Sequence, residues 1–278
     1  MKSNVASRLT IAFFKSVSLF WSFRDLIRQL VLRDVTGRYK GSYLGLLWSF
    51  LNPLFMLVIY TFVFSVVMKA RWGLHEHEGH FEYAITLLCG LIPFNIFAES
   101  VSRAPGLVLA HANYVKRVVF PLEILPAVVL FSSLIQSAIS LAIVVTFAWL
   151  FLGVVSWTII FLPLAILPLL ALSLGIGWFL AALGVFIRDI GHTVSIMTQA
   201  LFFMTPILYP ASAIPQQFRP VFELNPLSAI IEAVRCSLIW EKSPPWLWLG
   251  VVAALSFAVY LMGYYWFMRS KPAFADII

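Results

Sequence analysis

Six side chains that could bind a metal or move a proton fall within eight residues: His75, His77 and His80 with Glu76, Glu78 and Glu82. Imidazoles and carboxylates ligate zinc when local structure aims three or four of them at one point. The run around them, KARWGLHEHEGHFE over 69–82, lacks the HExxH helix pattern and joins two long apolar stretches. A short solvated loop outside the membrane is therefore expected, with no metal site and no catalytic residue. Cys89 lies in an apolar run and Cys236 in a polar stretch, so neither a disulfide framework nor a metal spacing follows. No Gly-Lys dipeptide occurs, which excludes a GxxxxGK[ST] phosphate loop and ATP hydrolysis by that route. Within the apolar runs only His192 and Gln136 stand out, and no relay of acids, His or Lys sits mid-membrane as proton-coupled carriers usually require. The expected protein is not an enzyme. If it moves something, the energy comes from elsewhere.

The elements that must position these residues are dictated by composition. Of 278 residues, 62% are hydrophobic and 11% charged, against about 25% charged in a soluble domain. A soluble chain of this kind would have nowhere to put its apolar surface. Continuous rather than alternating apolar runs also exclude a β-barrel. The expectation is an all-α integral membrane protein, one transmembrane domain over 1–278. Spans are expected at about 44–68, 83–102, 124–152, 157–187, 190–209 and 246–268. The third and fourth come from dividing 64 uncharged residues, 124–187, at Gly153–Ser156. Six spans put fourteen Lys and Arg on the cytoplasmic side and five outside, with both termini inside. A third crossing of the 64-residue stretch gives the same tally, so charge alone permits six spans or seven. The net charge of +7 is thereby a matter of topology and anionic headgroups, not of nucleic acid.

Three polar segments interrupt the spans. Residues 22–36 place Phe23, Leu26, Ile27, Leu30 and Val31 on one helical face and Arg24, Asp25, Arg28 and Gln29 largely on the other. That is a basic amphipathic helix for the cytoplasmic interface, with Ser22 and Asp25 spaced as a capping box and Gly37 as its stop. It serves either as an anchor for the first span or as a platform for a cytoplasmic partner. Residues 103–122 hold a short cytoplasmic segment between Pro105-Gly106 and Pro121. In 210–245, Asn225 and Pro226 form an N-cap and first helical position. Leu227, Ile230, Ile231, Val234 and Leu238 then make one stripe, with Glu232 and Arg235 off it. Two external helices before the last span are expected there. In the first span Trp48, Phe55, Tyr60 and Phe64 recur at spacings of seven, five and four. An aromatic face of this kind packs against helices or lipid, or stacks on the apolar faces of pyranose rings.

Three strings in register carry a resemblance. RDVTGRYKGSYLGLLWSFLNPLFMLVIYTFVF (33–64), FIRDIGHTVSIMTQALFFMTPILYP (186–210) and ELNPLSAIIEAVR (223–235) resemble segments of the ABC type 2 polysaccharide-export permeases, which include O-antigen, capsule and teichoic-acid exporters. The resemblance implies six spans in the bacterial inner membrane and a homodimer of permeases joined to two separate ATPase subunits, which bind the ATP and Mg. No cofactor belongs to this chain. The implied cargo is a polysaccharide on a polyprenyl pyrophosphate, O-antigen first. By the same analogy 22–36 lies beside the ATPase, 106–120 is a cytoplasmic coupling or gate segment, and 211–241 forms the external gate with Asn225, Pro226, Glu232 and Arg235. Arg24, Arg28, His111, Lys116 and Arg117 then face the ATPase or gate. Arg33, Arg38 and Lys40 would hold the pyrophosphate, since Arg grips phosphate bidentately. Trp48, Phe55 and Tyr60 would line the sugar path. Exporters of drugs or small lipids, and membrane-embedded polysaccharide-polymerising enzymes, are the alternatives.

Overall fold

The computed structural model describes residues 15–68, 72, 80–112, 120–153 and 157–277, and every regular element among them is helical. Residues 15–22 are helical and lead into α1, Arg24–Gly37. The capping box expected from Ser22 and Asp25 does not form. Phe23 occupies the preceding position without a side-chain cap, and its amide donates to the Leu19 carbonyl at 2.9 Å. The earlier turn supplies the acceptors a cap would otherwise replace. Ile27 and Val31 of α1 bury themselves against Ile124 and Val128. Gly41 and Gly45, at φ of 89° and 51°, take the chain through conformations that side chains disfavour and into α2, Trp48–Tyr60, which continues as a wider-turned helix over Thr61–Val67.

Next comes α3, His80–Arg103, extended through Ala104–Gly106 and Leu107–Ala110. It is the axis of the molecule: residues 83–94 are buried without interruption. Then α4 spans Leu125–Phe147, with helical extensions over Leu122–Ile124 and Ala148–Leu152. Gly153, at a left-handed φ of 67°, ends it. The chain re-enters at Trp157–Phe161 and α5, Leu162–Phe186, so the long uncharged stretch makes two long helices, divided where Gly153–Ser156 predicted. The last long helix, α9, is Trp246–Ser270. Between α5 and α9 lie α6 (Ile190–Phe203), α7 (Arg219–Glu223) and α8 (Pro226–Leu238).

Among the described residues five helical stretches are long and apolar enough to cross a bilayer, which makes this a multi-pass membrane protein. The apolar run 190–209 differs from its expectation. Its helix stops at Phe203 after 14 residues, about 21 Å at ~1.5 Å per residue, short of the ~30 Å hydrocarbon core. Pro206 follows, and a proline cannot donate to the helical ladder.

Close contact of α5 with α9 is set by glycine. A Cβ on Gly263 would lie 2.0 Å from the Gly175 carbonyl oxygen, and one on Gly175 would lie 2.5 Å from that of Val259. Small residues let helix backbones approach where lipid gives no hydrophobic drive to associate. Trp178 of α5 is fully buried, and its indole N–H donates to the Glu123 carbonyl at 2.8 Å. The Glu123 carboxylate accepts from Lys271 at 2.6 Å, which ties the start of α4 to the end of α9.

Candidate functional site

Where α1 and α3 end side by side, four charges meet. Arg103 grips Asp34 bidentately, Nη2 to Oδ1 at 2.6 Å and Nη1 to Oδ2 at 3.0 Å, and also reaches Glu99 at 3.1 Å. Arg38 bonds Asp34 at 3.0 Å and closes the ring on Glu99. The helical period explains half of it, since 34/38 and 99/103 are i, i+4 pairs. Burial raises the Asp34 pKa, but hydrogen bonds from Arg103 and Arg38 outweigh it and hold the carboxyl at about 2. Two guanidiniums and two carboxylates neutralise one another, so the cluster lies half-buried without a stranded charge.

Asp34, Arg38 and Arg103 of the cluster line a cavity of about 550 Å³, which Arg33 and His111 also line. Leu30, Leu107, Val128 and Val129 add apolar lining to it. Arg33 has no ion-pair partner among the described residues. A site with one free guanidinium, two more that can exchange carboxylate for phosphate, and a greasy lining suits an anionic amphiphile. Of the residues singled out for phosphate, Arg33 and Arg38 come together here, joined by His111. Lys40 is exposed in the turn after α1 and does not line the cavity. Arg103 belongs to the site and was missed. Its i, i+4 spacing from Glu99 at the end of a span was the available clue.

The aromatic trio is divided. Trp48 is 40% exposed and donates from Nε1 to Ser42 Oγ at 3.1 Å. Phe55 is 55% exposed. Tyr60 faces a crevice of about 320 Å³ between α2, α3 and α4. Gln136 of α4, which also lines it, accepts from the Tyr39 hydroxyl at 2.9 Å and donates to the Ser49 carbonyl at 3.4 Å. The Glu99 carboxylate stands at the crevice too, on the other side of the charge cluster from the basic cavity.

Around α8, Asn225 is the N-cap the sequence called for. Its Oδ1 accepts from the Leu227 amide at 3.0 Å, while Nδ2 donates to Thr205 Oγ1 at 2.8 Å, fastening α8 to the segment after α6. Pro226 takes the first helical position. Arg235, 2% exposed, donates to the carbonyls of Thr86 (3.1 Å), Pro206 (2.7 Å) and Ile207 (3.0 Å). Its guanidinium lies 4.3 Å from the Trp72 ring centroid, a cation–π contact. Burial pulls its pKa down to about 10, so it stays charged at neutral pH. Gly90 leaves room for it: a Cβ there would lie 2.6 Å from Arg235 Nη2. Two of the three carbonyls belong to the broken backbone after α6, so Arg235 replaces hydrogen bonds that the interrupted helix lost. Glu232 is exposed and lines a separate cavity of about 510 Å³ with Arg219 and Trp248.

Arg24 and Arg28 are exposed on α1, with Arg24 over the Trp21 ring at 5.1 Å. Lys116 and Arg117 lie outside the described residues, as do His75, Glu76, His77 and Glu78. Among the described residues no group of three potential metal ligands gathers.

A sequence profile of the family described as ABC-2 type transporter matches residues 25–239. The O-antigen export system permease protein RfbA of Myxococcus xanthus is 28% identical over 93% of this chain and 97% of its own length. The protein of the same name from Klebsiella pneumoniae is 27% identical over 91% and 95%. The polysialic acid transport protein KpsM of Escherichia coli is 29% identical over 75% and 79%.

Proposed function

The chain belongs to the ABC-2 type transporter family, and from that premise we propose that it is the membrane-spanning subunit of a polysaccharide exporter, with lipid-linked O-antigen as its first candidate cargo. The observation that carries this is the near full-length likeness to permeases whose names state O-antigen export. The basic cavity with its greasy lining supports it chemically. A polyprenyl pyrophosphate offers an anion to Arg33, Arg38 and Arg103 and an isoprenoid chain to the leucines and valines beside them, with Lys40 adding positive charge in the turn after α1. Because phosphate competes with Asp34 and Glu99 for the same guanidiniums, seating the headgroup loosens the tie between α1 and α3.

In this scheme two copies of the chain enclose the conduit in the bacterial inner membrane, and two ATPase subunits bind ATP and Mg and supply the work. Six crossings place both termini in the cytoplasm. The fifth is α6 completed by the non-helical residues 204–210, whose backbone at membrane depth is tolerable because Arg235 and Asn225 satisfy it. Helix α1 lies at the cytoplasmic interface, where Arg24 and Arg28 face the ATPase. Residues 106–120, with His111, Lys116 and Arg117, form the coupling segment. Residues 211–241, with Asn225, Pro226, Glu232 and Arg235, close the external side.

The test is co-purification with the proposed ATPase partner, followed by polymer-stimulated ATP hydrolysis in lipid. Arg33→Gln with Lys40→Gln leaves the four-charge cluster intact. That pair is expected to insert and assemble normally while stimulation falls. Unchanged stimulation removes the headgroup role, and absence of any polymer response from the unsubstituted complex removes the cargo.

A further inference from the structure

Along residues 83–97 of α3 every side chain is buried except one, Asn95. It stands one turn from Glu99 and lines the crevice between α2, α3 and α4. Across from it stands Asn52 of α2, also exposed and lining the same crevice. Neither carboxamide has a hydrogen-bond partner among the described residues. Ser137 and Ser140 of α4 add hydroxyls, and Tyr60 and Phe202 add rings. An open carboxamide within a span is costly against hydrocarbon, which has no donor or acceptor to offer. Polar side chains in such segments face a wet cavity or a polar ligand. The charge balance narrows the ligand. The lining's acid, Glu99, is engaged by Arg38 and Arg103, so what remains presented to the crevice is neutral. Its volume of about 320 Å³ lies at the lower end of the ~300–1,000 Å³ usual for ligand pockets.

We infer that this crevice is a wetted subsite for neutral pyranose units, in which Asn52, Asn95 and Ser140 bond sugar hydroxyls while Tyr60 and Phe202 pack on ring faces. This rests on the cargo being a lipid-linked polysaccharide. Position supports it: Glu99 lines the crevice while its partners Arg38 and Arg103 line the basic cavity. A pyrophosphate among those guanidiniums places its first sugars at the crevice. Carboxamides suit a sliding polymer because each makes one or two modest hydrogen bonds that exchange readily with water.

The experiment is cysteine labelling in the complex with its ATPase, in vesicles of phosphatidylethanolamine and phosphatidylglycerol. Cys89→Ala and Cys236→Ser remove the two native thiols, both buried. Asn52→Cys and Asn95→Cys are expected to react with a hydrophilic sulfonatoethyl methanethiosulfonate about tenfold or more faster than Leu255→Cys, an exposed apolar position on α9. Undecaprenyl pyrophosphate bearing a long neutral hexan is expected to slow that labelling. The double variant Asn52→Leu/Asn95→Leu should lose roughly five- to tenfold in hexan export at normal assembly, and Asn95→Gln should restore most of it. Labelling no faster than at Leu255→Cys puts the crevice against lipid and overturns the inference whatever the cargo. Fast labelling without protection, in a complex that still exports hexan, places the sugar elsewhere and also overturns it. If the unsubstituted complex exports no hexan, it is the proposed cargo that fails.

Discussion

Arg235 is held by geometry rather than by an opposite charge, so a conservative change is not conservative there. A lysine at 235 cannot reach three carbonyls that a planar guanidinium spans, and a methionine leaves all three in a dry interior. Arg235→Met is expected to destabilise the folded permease by on the order of 3 kcal/mol or more, with Arg235→Lys between it and the wild type. Thermal unfolding in detergent checks the order. Asp34 gives a pH signature. Its folded pKa, about 2, lies below the ordinary 3.8. The stability it contributes is therefore complete above about pH 4 and lost as pH falls from there towards 2. Melting temperatures of wild type and Asp34→Asn should differ at pH 6 and converge across that window. A constant difference down to pH 2 would mean Asp34 acts by shape alone. The sequence marked Arg38 as basic and well placed, but not that its guanidinium already has two carboxylates. One of those, Glu99, is distant in the chain, and i, i+4 spacing reports only on the nearer one.

At the scale of elements, the α5–α9 crossing and the break after α6 decide most of the shape. Gly263→Leu must push α9 off the Gly175 carbonyl and is expected to cost about 1–3 kcal/mol or more, seen as loss of monodisperse protein. Gly250 of α9 has nothing within 4 Å of its would-be Cβ. Gly250→Ala is expected to be neutral or to stabilise by up to about 1 kcal/mol through helix propensity, so equal effects at the two sites would show that the crossing is not what Gly263 serves. Asn225-Pro226 announced α8 because capping is local chemistry. The same logic misread Ser22 and Asp25, since a preceding helical turn had already satisfied the amides. The early stop of α6 had Pro206 as its cue, yet an apolar run reads alike whether it is one straight helix or a helix and a loop.

The whole molecule is a bundle around α3, with α2 lying largely exposed along its side. Even numbers of crossings return the chain to its starting face. Six crossings therefore predict that a C-terminal fusion to a reporter active only in the cytoplasm is active, and that the same fusion to a periplasm-dependent phosphatase is silent. The reverse would mean either an odd number of crossings, which moves α8 to the cytoplasmic side and leaves α1 there, or six crossings in the opposite orientation, which exchanges the sides of both. At this scale composition was the most informative quantity. With 11% charged residues the membrane is the one solvent that accepts the surface, and Lys and Arg at the ends of runs follow from the same partition.

Solvent partition and local capping are properties of short windows of chain. The sequence therefore determined by itself the membrane class, the helical content, the division at Gly153–Ser156, and the start of α8. Only the tertiary structure decided that Arg235 meets Thr86 across 149 positions, that Arg103 meets Asp34 across 69, and that Asn52 and Asn95 open on one crevice. Those pairings depend on which helix faces which. In a bundle that is set by glycine contacts and by the need to satisfy each buried polar group, conditions that no single window of residues contains.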